Sequence, residues 1–446
     1  MKFLLCLVAA LSALACQITA DTVAAPETVA AALVFERANV IPMDQERVLE
    51  DQTVLIRDGR IVEVGHAIEA PSDAQRIDAR GKYLMPGMAE MHGHIPPPTV
   101  PSAQVDAVLF LYVANGVTTV RGMLGYPNQL ELRAKANAGE IVAPTLYLAG
   151  PSLGGQAVKT AEEAESKVRE QHAEGWDLLK IFPGLSRDNY DVIVRTAREV
   201  GIPFAGHVPS DVGLLHALEM RQLTIDHLDG YIEYLDGASR AVPDEELRKV
   251  AQQTREAGTM VVPTMALWEV LRGFPELETL KAFPELQYMP RDQVEQWTNG
   301  YIKRRANPEF NFASAKWTVE NRMRLLRVMH EEGVGILFGT DAPQQFSVPG
   351  FSIHHEVKRM ADAGMSPYEI LRSGTASVGG YFQDKDKFGM IAPEHRADLL
   401  LLEANPLDDA ANIARRTGVM VRGHWIPESE IQAKLAEIAA ANGGAD

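Results

Sequence analysis

The chain has 446 residues, 46% of them hydrophobic and 23% charged, enough to bury one large core and a smaller attached unit. Its formal net charge of -17, with no basic patch, argues against nucleic acid as a partner because phosphates would be repelled. The only two cysteines are Cys6 and Cys16, which leaves the rest of the chain without a thiol nucleophile, an iron–sulfur ligand or a Cys-bound zinc. Any metal chemistry there is confined to His, carboxylate and Lys-derived ligands.

In chain order, Met1-Lys2 is followed by an uncharged apolar run from Phe3 to Cys16 and small residues ending at Ala20, the pattern of a secretory signal peptide over residues 1–20. Cleavage after Ala20 is expected, with lipoprotein-type processing ahead of Cys16 as the lesser option. The expected location is periplasmic or extracellular. The run is too short to span a bilayer, and no later stretch approaches the length of a transmembrane helix.

From residue 32 to 85, short alternating runs such as Thr53-Val-Leu-Ile-Arg57 and Arg60-Ile-Val-Glu-Val-Gly65 flank the turn signal Asp58-Gly59 and read as hairpins. Similar runs, Ala397-Asp-Leu-Leu-Leu-Leu402 and Gly418-Val-Met-Val-Arg-Gly-His-Trp425, lie near the C-terminus. Residues 32–85 plus 384–430 are therefore expected to form a small β-sandwich.

Between them, residues 86–383 alternate strand-like runs with helical patterns, the rhythm of an α/β fold with a parallel sheet. The runs cover residues 85–95, 116–123, 144–150, 177–182, 203–208, 223–230, 260–268 and 334–342. Eight such units suit a TIM-type (β/α)8 barrel. The long connection at about 269–333 is a helical insertion whose aromatics, Trp297, Tyr301 and Phe312 among them, either form a lid or pack an extra helical layer.

His92 and His94 end the first run, and a period of two places both on one face of a strand. His207 ends the fifth run, His227 the sixth and Asp341 the eighth. In a barrel, catalytic groups project from strand C-termini, so these five residues are expected at one mouth, with His172 and His216 left on helices. Lys180 stands in the apolar run Asp177-Leu-Leu-Lys-Ile-Phe182, where an unpartnered ammonium is costly to bury. Either a carboxylate or solvent receives it, or its amine has reacted with carbon dioxide to give a carbamate able to bridge two metals. Gly150-Pro-Ser-Leu-Gly154 matches the G-x-S-x-G motif with Ser152 at its centre, but the nearest helix start is the capping box Thr160-Ala-Glu-Glu163, too late for a nucleophile elbow.

Met85-Pro-Gly-Met-Ala-Glu-Met-His-Gly-His94, Gly116-Val-Thr-Thr-Val-Arg121, Gly339-Thr-Asp341 and Arg396-Ala-Asp398 resemble the signatures of the amidohydrolase superfamily, over most of residues 35–425. More narrowly, the chain is similar to the imidazolonepropionase-related and Xaa-Pro dipeptidase-like binuclear branch. The resemblance implies His92, His94 and Asp341 on one metal, His207 and His227 on a second, and carboxylated Lys180 bridging them. It implies a metal-bridging hydroxide as nucleophile and Asp341 as the catalytic proton carrier. Zinc suits His and carboxylate ligands, and manganese or iron could occupy the same set. Glu90 replaces the usual Asp two residues before the first ligand, and Gly154-Gly-Gln156 replaces Gly-Gly-His.

The expected activity is hydrolysis of an amide or peptide carbon–nitrogen bond in a small molecule, a dipeptide or N-acyl amino acid first. The alternatives are a mononuclear aminohydrolase, a cyclic amidase or lactonase, and a catalytically silent barrel. Tyr231, just past His227, and Arg121, ending the second run, are the candidate substrate contacts, the latter for a carboxylate. Self-association into a homo-oligomer is left open.

Overall fold

Asp58 and Gly59, both at positive φ (51° and 72°), make the tight turn that the sequence marks between β2 (Leu49–Arg57) and β3 (Arg60–Gly65) in the computed structural model, which describes residues 32–443. β1 (Leu33–Val40) lies antiparallel to β2. Two short strands then pair parallel with β1: β4 (Gln75–Asp78) along Leu33 to Glu36, and β5 (Tyr83–Pro86) at Asn39 and Val40. Residues 1–20, expected from the sequence to be a signal peptide, and both cysteines lie outside the described residues.

Only one residue separates β5 from β6 (Met88–Gly93), the first barrel strand, all six residues of which are buried. β7 (Val117–Gly122) and β8 (Thr145–Leu148) follow in parallel, and β9 (Leu179–Ile181), β10 (Phe204–Gly206), β11 (Thr224–Asp226) and β12 (Met260–Val262) form a second parallel arc. A parallel bridge between Ala149 and Leu178 joins the arcs, flanked by hydrogen bonds from Asp177 N to Leu148 O (2.9 Å) and Gly150 N to Leu178 O (3.0 Å).

On the other side the gap is filled by the eighth run, which is extended but not a regular strand. Leu337 N donates to Val261 O (2.9 Å), while Met91 N donates to Phe338 O (2.8 Å) and Asp341 N to His92 O (2.8 Å). The eight runs thus close a (β/α)8 barrel in the expected order. The strands are shorter than the apolar runs: at residues 260–268 the strand stops at Val262, and a helix occupies Met265–Leu271.

The chain returns as β13 (Leu399–Leu402), antiparallel to β5, followed by β14 (Arg416–Val421) and β15 (His424–Pro427). β15 is four places from β1 in the sheet order, which at ~4.8 Å per strand would put flat partners ~19 Å apart. Yet the rings of Phe35 and Trp425 meet edge to face at 5.2 Å. The sheet therefore folds over its own core of Phe35, Leu84, Leu399, Leu401 and Met420, as a small sandwich. A helix at Glu428–Ala441 extends past the expected limit of 430 and packs on the helix Ser102–Ala114. Arg396 ties the two units together, pairing with Asp398 (2.7 Å) and donating to Thr119 Oγ1 on β7 (2.8 Å).

The insertion contains helices at Leu277–Lys281, Arg291–Arg305 and Phe312–Glu331. Trp297 and Tyr301 are buried and reach Phe346 in the loop after the eighth run, at ring distances of 6.1 and 6.4 Å. Aromatic packing of a helical layer is what these side chains do, although Phe312 stays 46% exposed. Among the described residues no helix is long and apolar enough to cross a membrane.

Candidate active site

β6 carries Glu90 and His92 on one face, and His94 continues that face past the strand end. Glu90 is fully buried and stitches β6 to the eighth run: Oε1 accepts from His92 N (2.9 Å) and Thr340 N (2.8 Å), and Oε2 accepts from Thr340 Oγ1 (2.5 Å). Burial pushes its carboxyl up to about 8 despite those donors. Gly339 makes this junction passable, because a Cβ there would lie 2.5 Å from Val262 Cγ1 and 3.0 Å from both Glu90 Oε1 and His92 N. Gly339→Ala is therefore expected to destabilise the protein by about 1–3 kcal/mol through overpacking. Denaturant unfolding measures this, and an unchanged midpoint would contradict it.

The structure brings the six expected residues to one mouth. His94 Nε2 lies 2.6 Å from Asp341 Oδ1, and His92 Nε2 is 3.7 Å from the same oxygen. Lys180 Nζ is 3.2 Å from His92 Nε2, and His227 Nε2 is 3.6 Å from Asp341 Oδ2. The His207 ring stands 4.9 Å from that of His227 and 6.4 Å from that of His92. Burial first, and the neighbouring cationic groups after it, hold His92 and His227 well below the ordinary imidazole range. Both rings are therefore neutral, the form that ligates metals. Burial also brings Lys180 down to about 8, with Asp341 and Asp226 opposing the shift.

Three groups that sequence reasoning passed over set the orientation of the rings. Asp226 Oδ2 accepts from His92 Nδ1 (2.7 Å), Asp229 Oδ2 accepts from His207 Nδ1 (2.6 Å), and Thr264 Oγ1 pairs with His227 Nδ1 (2.8 Å). With Nδ1 engaged, each ring offers Nε2 as its free nitrogen. Asp226 and Asp229 were readable as the carboxylates flanking His227 in Thr224-Ile-Asp-His-Leu-Asp229, whereas Thr264 carries no local signal.

His227, Thr264 and Asp341 also share positive φ values of 63°, 46° and 63°, a left-handed backbone rare for residues other than glycine. Buried Arg322, from the helix Phe312–Glu331, braces two of these corners by donating to His227 O and to Pro263 O (3.0 Å).

Two expected substrate contacts are corrected. Arg121 does meet a carboxylate, but that of Asp226: its Nη2 lies 3.1 and 3.0 Å from the two oxygens, and Nε donates to Met91 O (2.6 Å). Burial opposes its charge, and Asp226 outweighs that cost and holds the guanidinium above its ordinary value. With no exposed surface it is out of reach of a substrate. Tyr231 is likewise fully buried, and its hydroxyl pairs with Thr254 Oγ1 (2.7 Å) on the neighbouring helix Asp244–Ala257. Tyr231 lies five residues past the end of β11 and opens the helix Tyr231–Tyr234, which buries its ring instead of presenting it to the mouth.

Ser152 has no base: its buried Oγ lacks any hydrogen-bond partner among the described residues, and the next helix begins only at Ala161. Beside His94 opens a cavity of about 280 Å³. Ile95, Pro97, Leu124 and Met289 line it with the amides of Gln104 and Gln293, and no Asp, Glu, Lys or Arg contributes.

His92, His94 and Asp341 offer ligand atoms within 4.8 Å of one another, a buried nitrogen and oxygen donor set that fits a divalent metal. The model of the Amidohydrolase family matches residues 83–426, spanning β5, the barrel and the return through β15. The chain belongs to the amidohydrolase family.

Among its relatives, the dihydroorotase of Anaeromyxobacter sp. (strain K) is 34% identical over 100 residues, 22% of this chain and 22% of the relative, so the match spans about a fifth of each. Among solved structures, bottromycin amidohydrolase superposes with a TM-score of 0.73 at 24% identity, covering 92% of this chain and 91% of its own. A Xaa-Pro dipeptidase with bound methionine gives 0.65 at 19% identity, covering 89% of this chain and 100% of its own. At these identities the structures share the fold with this amidohydrolase.

Proposed function

We propose that this amidohydrolase cleaves an amide or peptide carbon–nitrogen bond in a dipeptide or N-acyl amino acid, with two divalent ions at the barrel mouth. The observation that carries the reading is the convergence of His92, His94, Lys180, His207, His227 and Asp341 from five different barrel runs. His92, His94 and Asp341 would hold one ion, and His207 and His227 the other, zinc being suited to such ligands. Lys180 would lie between them as a carbamate, formed when its neutral amine adds to the carbon of carbon dioxide and releases a proton. Its place 3.2 Å from His92 Nε2 supports two ions over one, since a single-ion site gives this lysine no task.

When bound, the ions supply Lewis acidity toward the scissile carbonyl and lower the pKa of the attacking water. The chain supplies the rest. Asp341 moves the proton, accepting it from the water on Oδ2 and delivering it to the leaving nitrogen as the carbon–nitrogen bond breaks. Asp226, Asp229 and Thr264 keep three imidazoles in register, so little reorganisation is needed at the moment of reaction. The uncharged cavity beside His94 takes an apolar part of the substrate. Export to the periplasm or exterior, from the apolar run Phe3 to Cys16, belongs to the same proposal.

The test is a library of dipeptides and N-acyl amino acids assayed on zinc-loaded protein, alongside metal analysis. Turnover with about two equivalents of metal is expected. Less than about one equivalent after growth with zinc would sink the two-ion reading, and turnover of none of the library would sink the substrate class.

A further inference from the structure

Immediately after β12 the chain turns at Thr264 into the short helix Met265–Leu271, which sets the Trp268 ring 5.9 Å from that of His227. Two guanidiniums lie against this one indole, Arg322 at 4.8 Å and Arg272 at 4.9 Å. Like charges gathered in this way repel, and in a chain of net charge -17 their assembly at the mouth calls for an anion.

Among the described residues the carboxylate within ion-pair reach of Arg272 is Glu233, and that pair is long and exposed. Glu233 approaches Arg272 only to 3.9 Å and is 66% exposed. Asp229 is engaged by His207 (2.6 Å), Glu269 by Arg359 (2.9 Å), and Glu356 accepts from Met265 N (2.8 Å) and Ala266 N (2.9 Å). Arg322 spends its donors on backbone carbonyls. Two donors in the cluster, Trp268 Nε1 and Arg272 Nε, are buried with no acceptor among the described residues. Orphaned buried donors are costly unless a ligand satisfies them.

We propose that Trp268 and Arg272 receive the free carboxylate of the substrate. This rests on the hydrolase reading above and narrows it: in an N-acyl amino acid the carboxylate carbon is two bonds from the scissile nitrogen, so its receptor must adjoin a residue such as His227. The role assigned to Arg121 in the sequence passes to a group on the insertion side of the mouth. With the uncharged cavity beside His94, the site then favours substrates that are apolar at one end and anionic at the other.

The test titrates metal-loaded protein with N-benzoylglycine and its uncharged carboxamide, N-benzoylglycinamide, following binding by calorimetry and turnover by chromatography. The acid is expected to bind about tenfold or more tightly than the amide, the scale of a charge-assisted pair. Arg272→Gln should bring the ratio near unity, Trp268→Phe should reduce it severalfold, and Arg272→Lys should restore part of it. Lys303→Gln, an exposed charge change on the helix Arg291–Arg305, should leave the ratio alone, and a melt of each variant checks folding. A ratio near unity in the parent protein, or one unchanged in both Arg272→Gln and Trp268→Phe, overturns the proposal. Preference for the acid with no turnover of any amide supports the carboxylate receptor and removes the hydrolase reading; turnover without preference does the reverse.

Discussion

Lys180→Ala is expected to lower kcat/KM by about a hundredfold or more and to reduce bound metal from two equivalents toward one. The size follows from the several kcal/mol that Lewis-acid stabilisation contributes, at about 1.4 kcal/mol per decade of rate. Lys180 has no other local purpose: it is 2% exposed within β9, its amine meets His92 Nε2, and no direct carboxylate pair holds it among the described residues. Acetate or formate added to Lys180→Ala should restore part of the activity, because a small carboxylate can occupy the space of the proposed carbamate and supply its oxygens. Lys180→Arg should not be rescued, since the guanidinium fills that space with positive charge. Equal turnover by Lys180→Ala and the parent protein would reject the bridging role.

Asp226→Asn carries the second large effect, divided between stability and the site. Asp226 and Arg121 are both 0% exposed, and the carboxylate accepts from Arg121, from Thr224 Oγ1 (2.6 Å) and from His92 Nδ1. Removing its charge leaves the guanidinium buried without a counter-ion, which costs about 3–5 kcal/mol. The His92 ring also loses its orientation, worth about 10–100-fold in metal affinity. Urea unfolding of metal-free protein isolates the first effect, and zinc titration the second. Arg121→Met combined with Asp226→Asn should be less destabilised than Asp226→Asn alone, because the double variant buries no unpaired charge. Simple addition of the two single losses would show that the ion pair is not the source.

The barrel was legible because its periodicity is local. Each run is largely apolar, as strands buried on both faces are, with its polar residues gathered mostly toward the C-terminal end, and helical patterns separate the runs. Strand ends were less legible: Met265-Ala-Leu-Trp268 is apolar enough to read as strand, yet Thr264 at φ 46° turns the chain into a helix whose N-terminal amides Glu356 accepts from far along the sequence. The eighth run was legible as an apolar run, although its pairing with β6 and β12 is too irregular for a strand. The C-terminal helix Glu428–Ala441 extends past the expected limit of 430, because alternation marks strands and carries no signal for the helix that follows the last of them.

By itself the sequence determined the eight parallel units, the family motifs and the position of six chemically able side chains at run ends, since period and position along a strand decide which face and which end a residue occupies. Tertiary structure alone decided what those side chains touch. It buried Arg121 and Tyr231 against Asp226 and Thr254, set Asp226, Asp229 and Thr264 behind the histidines, and left Trp268 and Arg272 with donors unmet beside His227. The physical reason is that a hydrogen bond or an ion pair forms between groups within a few ångströms in space. Arg121 and Asp226 are 105 residues apart, and Glu356 and Met265 are 91, separations on which no local pattern bears.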